Sequence, residues 1–155
     1  MKAKLIFFLK VFLGVLFILT ALGKLLDNRG FAKVLESYQL IPTALTLVIA
    51  LCISLFELIL GVAIFFRNTA LRAGWGMCFM NFGYTVLALV TNLRDIRLEN
   101  CGCFGVFLPR PMTWGTVWED LFLTVVTAFF CGALRSKPSG AAEAILSHED
   151  SPNLS

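Results

Sequence analysis

Long apolar runs separated by short polar islands make up most of this 155-residue chain. Leu5 to Leu26 is the first run, and a helix crosses a bilayer with about 20 apolar residues. Thr43 to Phe66, Ala73 to Leu93 and Gly115 to Leu134 predict three further spans. Between the first two runs lies Asp27 to Pro42, where Phe31, Val34, Leu35 and Tyr38 recur at three- and four-residue spacing. That spacing makes one apolar face and predicts a short interfacial helix ending before Pro42, with a plain amphipathic loop as the alternative. The predicted fold class is therefore all-α, an integral membrane four-helix bundle over residues 1–135. Residues 136–155 are rich in Pro, Ser and acids and predict a disordered tail, with one short turn around Ala141 to Leu146.

The polar residues inside these runs refine the picture. The start Met1-Lys2-Ala3-Lys4, with small residues at Ala21 and Gly23, also fits a signal peptide. The length of the run and its continuation through Lys24-Leu25-Leu26 favour a retained helix. Lys10 and Lys24 are expected to snorkel to the nearer and the farther surface. Glu57 lies deep in the second run, and a carboxylate there is costly and faces a bundle interior. Asn81 sits at similar depth in the third run if the spans are antiparallel, which predicts a Glu57–Asn81 hydrogen bond. A proton or quinone site at Glu57 is the sharper alternative. Gly74, Gly76 and Gly83 in the third run suit close helix approach in lipid.

Composition agrees: 58% of residues are hydrophobic and 15% charged, where a soluble domain carries about 25%. The net charge of +3 is too small for nucleic-acid binding, and the basic residues stand at segment ends. The one histidine, His148, lies in the polar tail, so neither a His-based metal site nor His catalysis is expected. Cys52, Cys78 and Cys131 lie inside apolar runs, where cysteine packs as a small hydrophobe.

The remaining cysteines carry the candidate chemistry. Asn100-Cys101-Gly102-Cys103-Phe104-Gly105 is a polar and small-residue island in the second long connection, and Pro109 and Pro111 stiffen its exit. Two thiols around one residue can hold a soft metal, be lipidated, act as a staple or close as a strained, readily reduced disulfide. Gly102 makes such a tight loop feasible. Trp114 and Trp118 suit an interfacial belt, and Glu119 and Asp120 follow in the first turns of the last span, where a helix N-terminus favours negative charge. Lys2, Lys4, Arg67, Arg72, Arg135 and Lys137 fall on one side of the bundle; Arg29, Lys33, Arg94, Arg97 and Arg110 fall on the other, mixed with acids. This predicts cytoplasmic termini and an extracytoplasmic Cys loop, on the side where disulfides persist.

The chain resembles the methylamine utilisation protein MauE family within the DoxX-like superfamily. The matching residues are Ala21-Leu-Gly-Lys24-Leu-Leu-Asp27 with Phe31, Tyr38-Gln-Leu-Ile-Pro42, Glu57-Leu-Ile-Leu-Gly61, and Cys101-Gly-Cys103-Phe-Gly105 followed by Trp114 and Asp120. The resemblance implies a four-helix bundle of the cytoplasmic membrane that helps mature an extracytoplasmic, disulfide-containing enzyme alongside a thioredoxin-like partner. It makes Cys101 and Cys103 the exchanging pair, and Lys24, Tyr38, Glu57 and Asp120 positions that support it. A quinone acceptor is compatible with this reading, although no motif specifies one. A non-catalytic assembly subunit and the small subunit of a quinone-linked oxidoreductase are the rival functions. One buried carboxylate and no visible inverted repeat argue against a transporter.

Overall fold

A computed structural model describes residues 2–40, 42–96, 98–103 and 110–135. The expectations for Arg97, Phe104, Gly105, Pro109, His148 and the 136–155 tail fall outside these described residues.

Five helices follow one another: α1 (Lys2–Leu26), α2 (Asn28–Ser37), α3 (Thr43–Ala63), α4 (Ala70–Leu93) and α5 (Trp114–Arg135). All but α2 are long and apolar enough to cross a membrane, and the chain is a multi-pass membrane helical bundle. Helices suit this setting because every backbone N–H and C=O inside lipid must be satisfied within the chain. Large side chains such as Phe7, Phe79 and Phe122 point outward, as a lipid solvent permits.

Local chemistry sets the boundaries. Asp27 ends α1 and caps α2 at once, its Oδ1 accepting from the Gly30 N–H at 2.8 Å, and the interfacial helix ends before Pro42 as expected. Its apolar face buries Phe31, Ala32 and Leu35. Pro42 separates α2 from α3, which ends at Ala63, short of Phe66. The turn to α4 is tied by Thr69 Oγ1, which donates to Ala63 O at 2.6 Å, and by Lys10 Nζ, which donates to Phe65 O at 2.8 Å.

The bundle is built of two intimate antiparallel pairs, α1 with α3 and α4 with α5, and α2 lies on α3. Small residues set the approach. A Cβ on Gly61 would stand 3.0 Å from the Ile18 backbone nitrogen. A Cβ on Gly76 would stand 2.7 Å from Leu60, and one on Gly74 would stand 2.8 Å from Cys131 Sγ. Gly83 departs from expectation, because nothing lies within 4 Å of its would-be Cβ. At the end holding the α3–α4 turn, Leu13, Phe17, Leu60, Ile64, Ala73, Met77, Phe130 and Cys131 form a wholly apolar core. At the other end Tyr38, Ala88, Leu98, Cys101, Met112 and Val117 pack under the loop between α4 and α5.

Candidate functional site

The loop carrying the cysteine pair is tied down from several directions. The Cys101 N–H donates to Arg110 O at 2.8 Å, and the Met112 N–H to Leu98 O at 2.9 Å. Asn100 Oδ1 accepts from the Gly102 N–H at 2.9 Å, a side-chain turn that folds the loop on itself. Tyr38, just past the end of α2, donates its hydroxyl to Cys101 O at 2.6 Å. Gly102 has φ +73, and its would-be Cβ lies 3.0 Å from Val34 and 3.1 Å from Phe31. Glycine is therefore needed twice over, for the left-handed backbone and for close contact with α2.

Cys101 and Cys103 stand as free thiols, Cys101 being 7% exposed and Cys103 partly buried. The Cys103 N–H points at Cys101 Sγ across 3.4 Å. Hydrogen bonding from the Cys103 thiol, against the opposing effect of burial, brings Cys101 down to about 7. The same bond, followed by burial, pushes Cys103 well above the ordinary thiol range. Of the two sulfurs, Cys101 is thus the one that favours the thiolate and Cys103 the one that keeps its proton. Burial also raises the Tyr38 hydroxyl, which keeps it a hydrogen-bond donor.

Beneath the loop lies a charged cluster. Lys24 Nζ sits 2.6 and 2.8 Å from the two Glu57 carboxylate oxygens, and the residues are 1% and 2% exposed. Tyr84 donates its hydroxyl to Glu57 Oε1, and Lys24 Nζ lies 3.4 Å from the same hydroxyl. The ammonium also stands over the Phe31 ring at 5.3 Å and the Tyr84 ring at 4.9 Å from their centroids. Phe31 therefore connects the ion pair to Gly102.

Two sequence expectations are corrected here. Lys24 does not snorkel to the surface but turns inward to Glu57. Glu57 does not bond Asn81, which instead donates to Thr127 Oγ1 at 3.2 Å. A buried charge needs an opposite charge and several donors, and Lys24 supplies both where an amide cannot. Asn81 has the right depth but faces α5, whereas Tyr84, three residues on, faces α3.

Two small cavities of about 70 Å³ and about 50 Å³ lie between the thiols and the ion pair. Tyr84, Cys101, Cys103 and Asp120 line both. Each has room for water but falls below the roughly 300 Å³ of an ordinary ligand pocket. Lys24, Tyr38, Glu57, Cys101, Gly102, Cys103 and Asp120 are thus gathered at one end of the bundle. Asn81 lines the larger of the two cavities but not the smaller. Sequence reasoning missed Tyr84, although a phenol inside an apolar span demands a partner and could have signalled it. Among the described residues, no three His, Cys, Asp or Glu side chains converge as metal ligands.

The chain is 26% identical over 136 residues to "Methylamine utilization protein MauE" of Paracoccus denitrificans, covering 87% of this chain and 73% of that protein. It is likewise 26% identical over 137 residues to the protein of the same name from Paracoccus versutus, with the same coverage of 87% and 73%. No solved structure matches. The family model for methylamine utilisation protein MauE matches residues 2–133, nearly everything from α1 to α5, and the chain belongs to that family.

Proposed function

We propose that this protein is a thiol-disulfide factor of the cytoplasmic membrane that supports maturation of an extracytoplasmic enzyme of methylamine utilisation. Cys101 and Cys103 are the exchanging pair, and the loop that carries them faces away from the cytoplasm. The observation that carries this reading is the pair itself: the Cys103 N–H points at the Cys101 sulfur across 3.4 Å, and the Cys103 thiol lies beside it, 4.0 Å from Cys101 O, which favours a thiolate next to a resolving thiol. The names of the Paracoccus relatives supply the metabolic setting. A mixed disulfide with a thioredoxin-like protein, or with the enzyme being matured, is the covalent intermediate. A quinone, if it is the onward acceptor, has an approach from the lipid side. Leu16 lines both the larger inner cavity and an outer apolar groove with Phe8, Val11, Phe12, Val15 and Leu19.

Burial of Cys101 supports the rival reading, in which the pair only shapes the loop and the protein is a non-catalytic assembly subunit. One set of variants separates the two. Cys101→Ser and Cys103→Ser should each abolish maturation of the partner enzyme while leaving the amount of protein in the membrane unchanged. Cys103→Ser should also accumulate a mixed disulfide through Cys101, from which the partner can be identified. Full maturation by the double serine variant sinks the exchange reading in favour of the assembly subunit.

A further inference from the structure

Two acidic side chains are buried among the described residues, Glu57 and Asp120. They are treated very differently. Glu57 is saturated by Lys24 and Tyr84. Asp120 is 9% exposed, and its carboxyl has no hydrogen-bond or ion-pair partner among the described residues; only its backbone carbonyl is used, accepting from Thr124 Oγ1 at 2.8 Å. Its carboxyl oxygens are not sealed in the packing but stay accessible at the cavities it lines, and in a membrane bundle an acid without a counter-charge marks a working site. Asp120 lines both small cavities, and Cys101 and Cys103 line the same two.

We propose that Asp120 is the proton-exchanging group of the Cys101–Cys103 pair. This rests on the thiol-exchange reading and assigns the base that reading lacks. In the oxidising direction the electron acceptor is a protein disulfide of the partner. The Cys101 thiolate, its proton already given to solvent, attacks one partner sulfur; a mixed disulfide forms and one partner thiolate leaves. The Asp120 carboxylate then takes the proton of Cys103, directly or through a water in the cavity. The freed Cys103 sulfur attacks the Cys101 sulfur, the mixed disulfide breaks, and the second partner thiolate leaves. The pair has lost two electrons and two protons, one to solvent and one to Asp120. The partner has gained both electrons and takes two protons from water. Running backwards, the same path reduces the pair.

The charged and titratable groups around Asp120 suit this role. Lys24 of α1 is the nearest interior cation, but Glu57 of α3 already claims it. Tyr84 of α4 donates to Glu57, and Tyr38 beyond α2 donates to Cys101 O. Glu119 and Arg110 pair with each other nearer the surface, 2.7 Å apart. Asp120 is left as the uncommitted acceptor in the cavities that the thiols also line.

The test uses the full chain in detergent, fully reduced, with oxidised glutathione as the disulfide probe. Closure of the Cys101–Cys103 bridge is followed by mass spectrometry after acid quench. Asp120→Asn should slow closure at least about tenfold near pH 6.5, in line with loss of a general base, and the deficit should shrink to about twofold near pH 9. Asp120→Glu should close at nearly the native rate. Alkylation of Cys101 by iodoacetamide at neutral pH should stay within about twofold of native in the Asn variant, showing that the loop is intact. Closure by Asp120→Asn at the native rate across the pH range overturns the assignment, and so does a deficit that is the same at every pH. If the native pair itself fails to close with glutathione, the thiol-exchange reading falls, and the Asp120 assignment falls with it.

Discussion

The two ends of the bundle hold the same residue type in opposite roles. At the α3–α4 turn end, Cys131 is 1% exposed among Leu13, Met77 and Phe130, against the face of Gly74. At the other end Cys101 is nearly as buried, but it receives the Cys103 N–H, lies in a loop tied by Tyr38, and looks across a cavity toward Asp120. Burial in apolar surroundings leaves a thiol inert, whereas a donor aimed at the sulfur favours its thiolate. The apolar end is held by close packing of side chains, and small residues allow it. The other end spends close packing on polar groups and keeps two cavities. That contrast is what a membrane bundle needs if one end is scaffold and the other is reactive.

The largest effect expected in breaking this contrast is at the Lys24–Glu57 pair. Glu57→Leu leaves an ammonium buried without a counter-charge and should destabilise the protein by about 3–5 kcal/mol, read as lost membrane abundance and a lower unfolding temperature in detergent. Glu57→Gln should be milder, since an amide oxygen still accepts from Lys24 and Tyr84. The double variant Lys24→Met with Glu57→Leu should recover most of the loss, because no charge is then stranded. Recovery absent from the double variant would mean that the pair acts through something other than mutual compensation.

A smaller effect separates two glycines. Gly102→Ala forces a side chain into a left-handed backbone and should cost about 1–2 kcal/mol locally, seen as faster proteolysis or labelling of the Cys loop. Gly83→Ala, in open space on α4, should be neutral or slightly stabilising through better helix propensity. Equal behaviour of the two would contradict the loop geometry.

The smallest effect is a shift in a pH profile. Because the Cys103 thiol stabilises the Cys101 thiolate, half-maximal alkylation of Cys101 is expected near pH 7, with reactivity lost as pH falls below it. Cys103→Ala removes the donor, so the Cys101 midpoint should rise toward the ordinary thiol value of about 8.5. A midpoint unchanged by that substitution would mean that the neighbouring thiol does not tune the site.

The spans could be read from the residue order because lipid imposes a simple rule. Runs such as Leu5 to Leu26 must cover a bilayer, and Asp27, Pro42 and Arg67 interrupt them. The interfacial helix was legible from the spacing of Phe31, Val34, Leu35 and Tyr38, and Gly102 from its place between two cysteines. What hydropathy and counting do not encode is rotation about each helix axis. Depth put Glu57 level with Asn81, yet the rotation of α4 turned Tyr84 toward Glu57 and Asn81 toward Thr127. Lys24, near the end of α1, was near enough to the surface to snorkel, but a buried carboxylate one helix away made the inward rotamer better. Asp120 was visible as an acid near a helix start and as a match to the family pattern, but not as a neighbour of the thiols. The tertiary packing of α1, α4 and α5 around the Cys loop placed it across a cavity from two thiols, since contacts between distant helices depend on how the faces meet rather than on where residues fall in the chain.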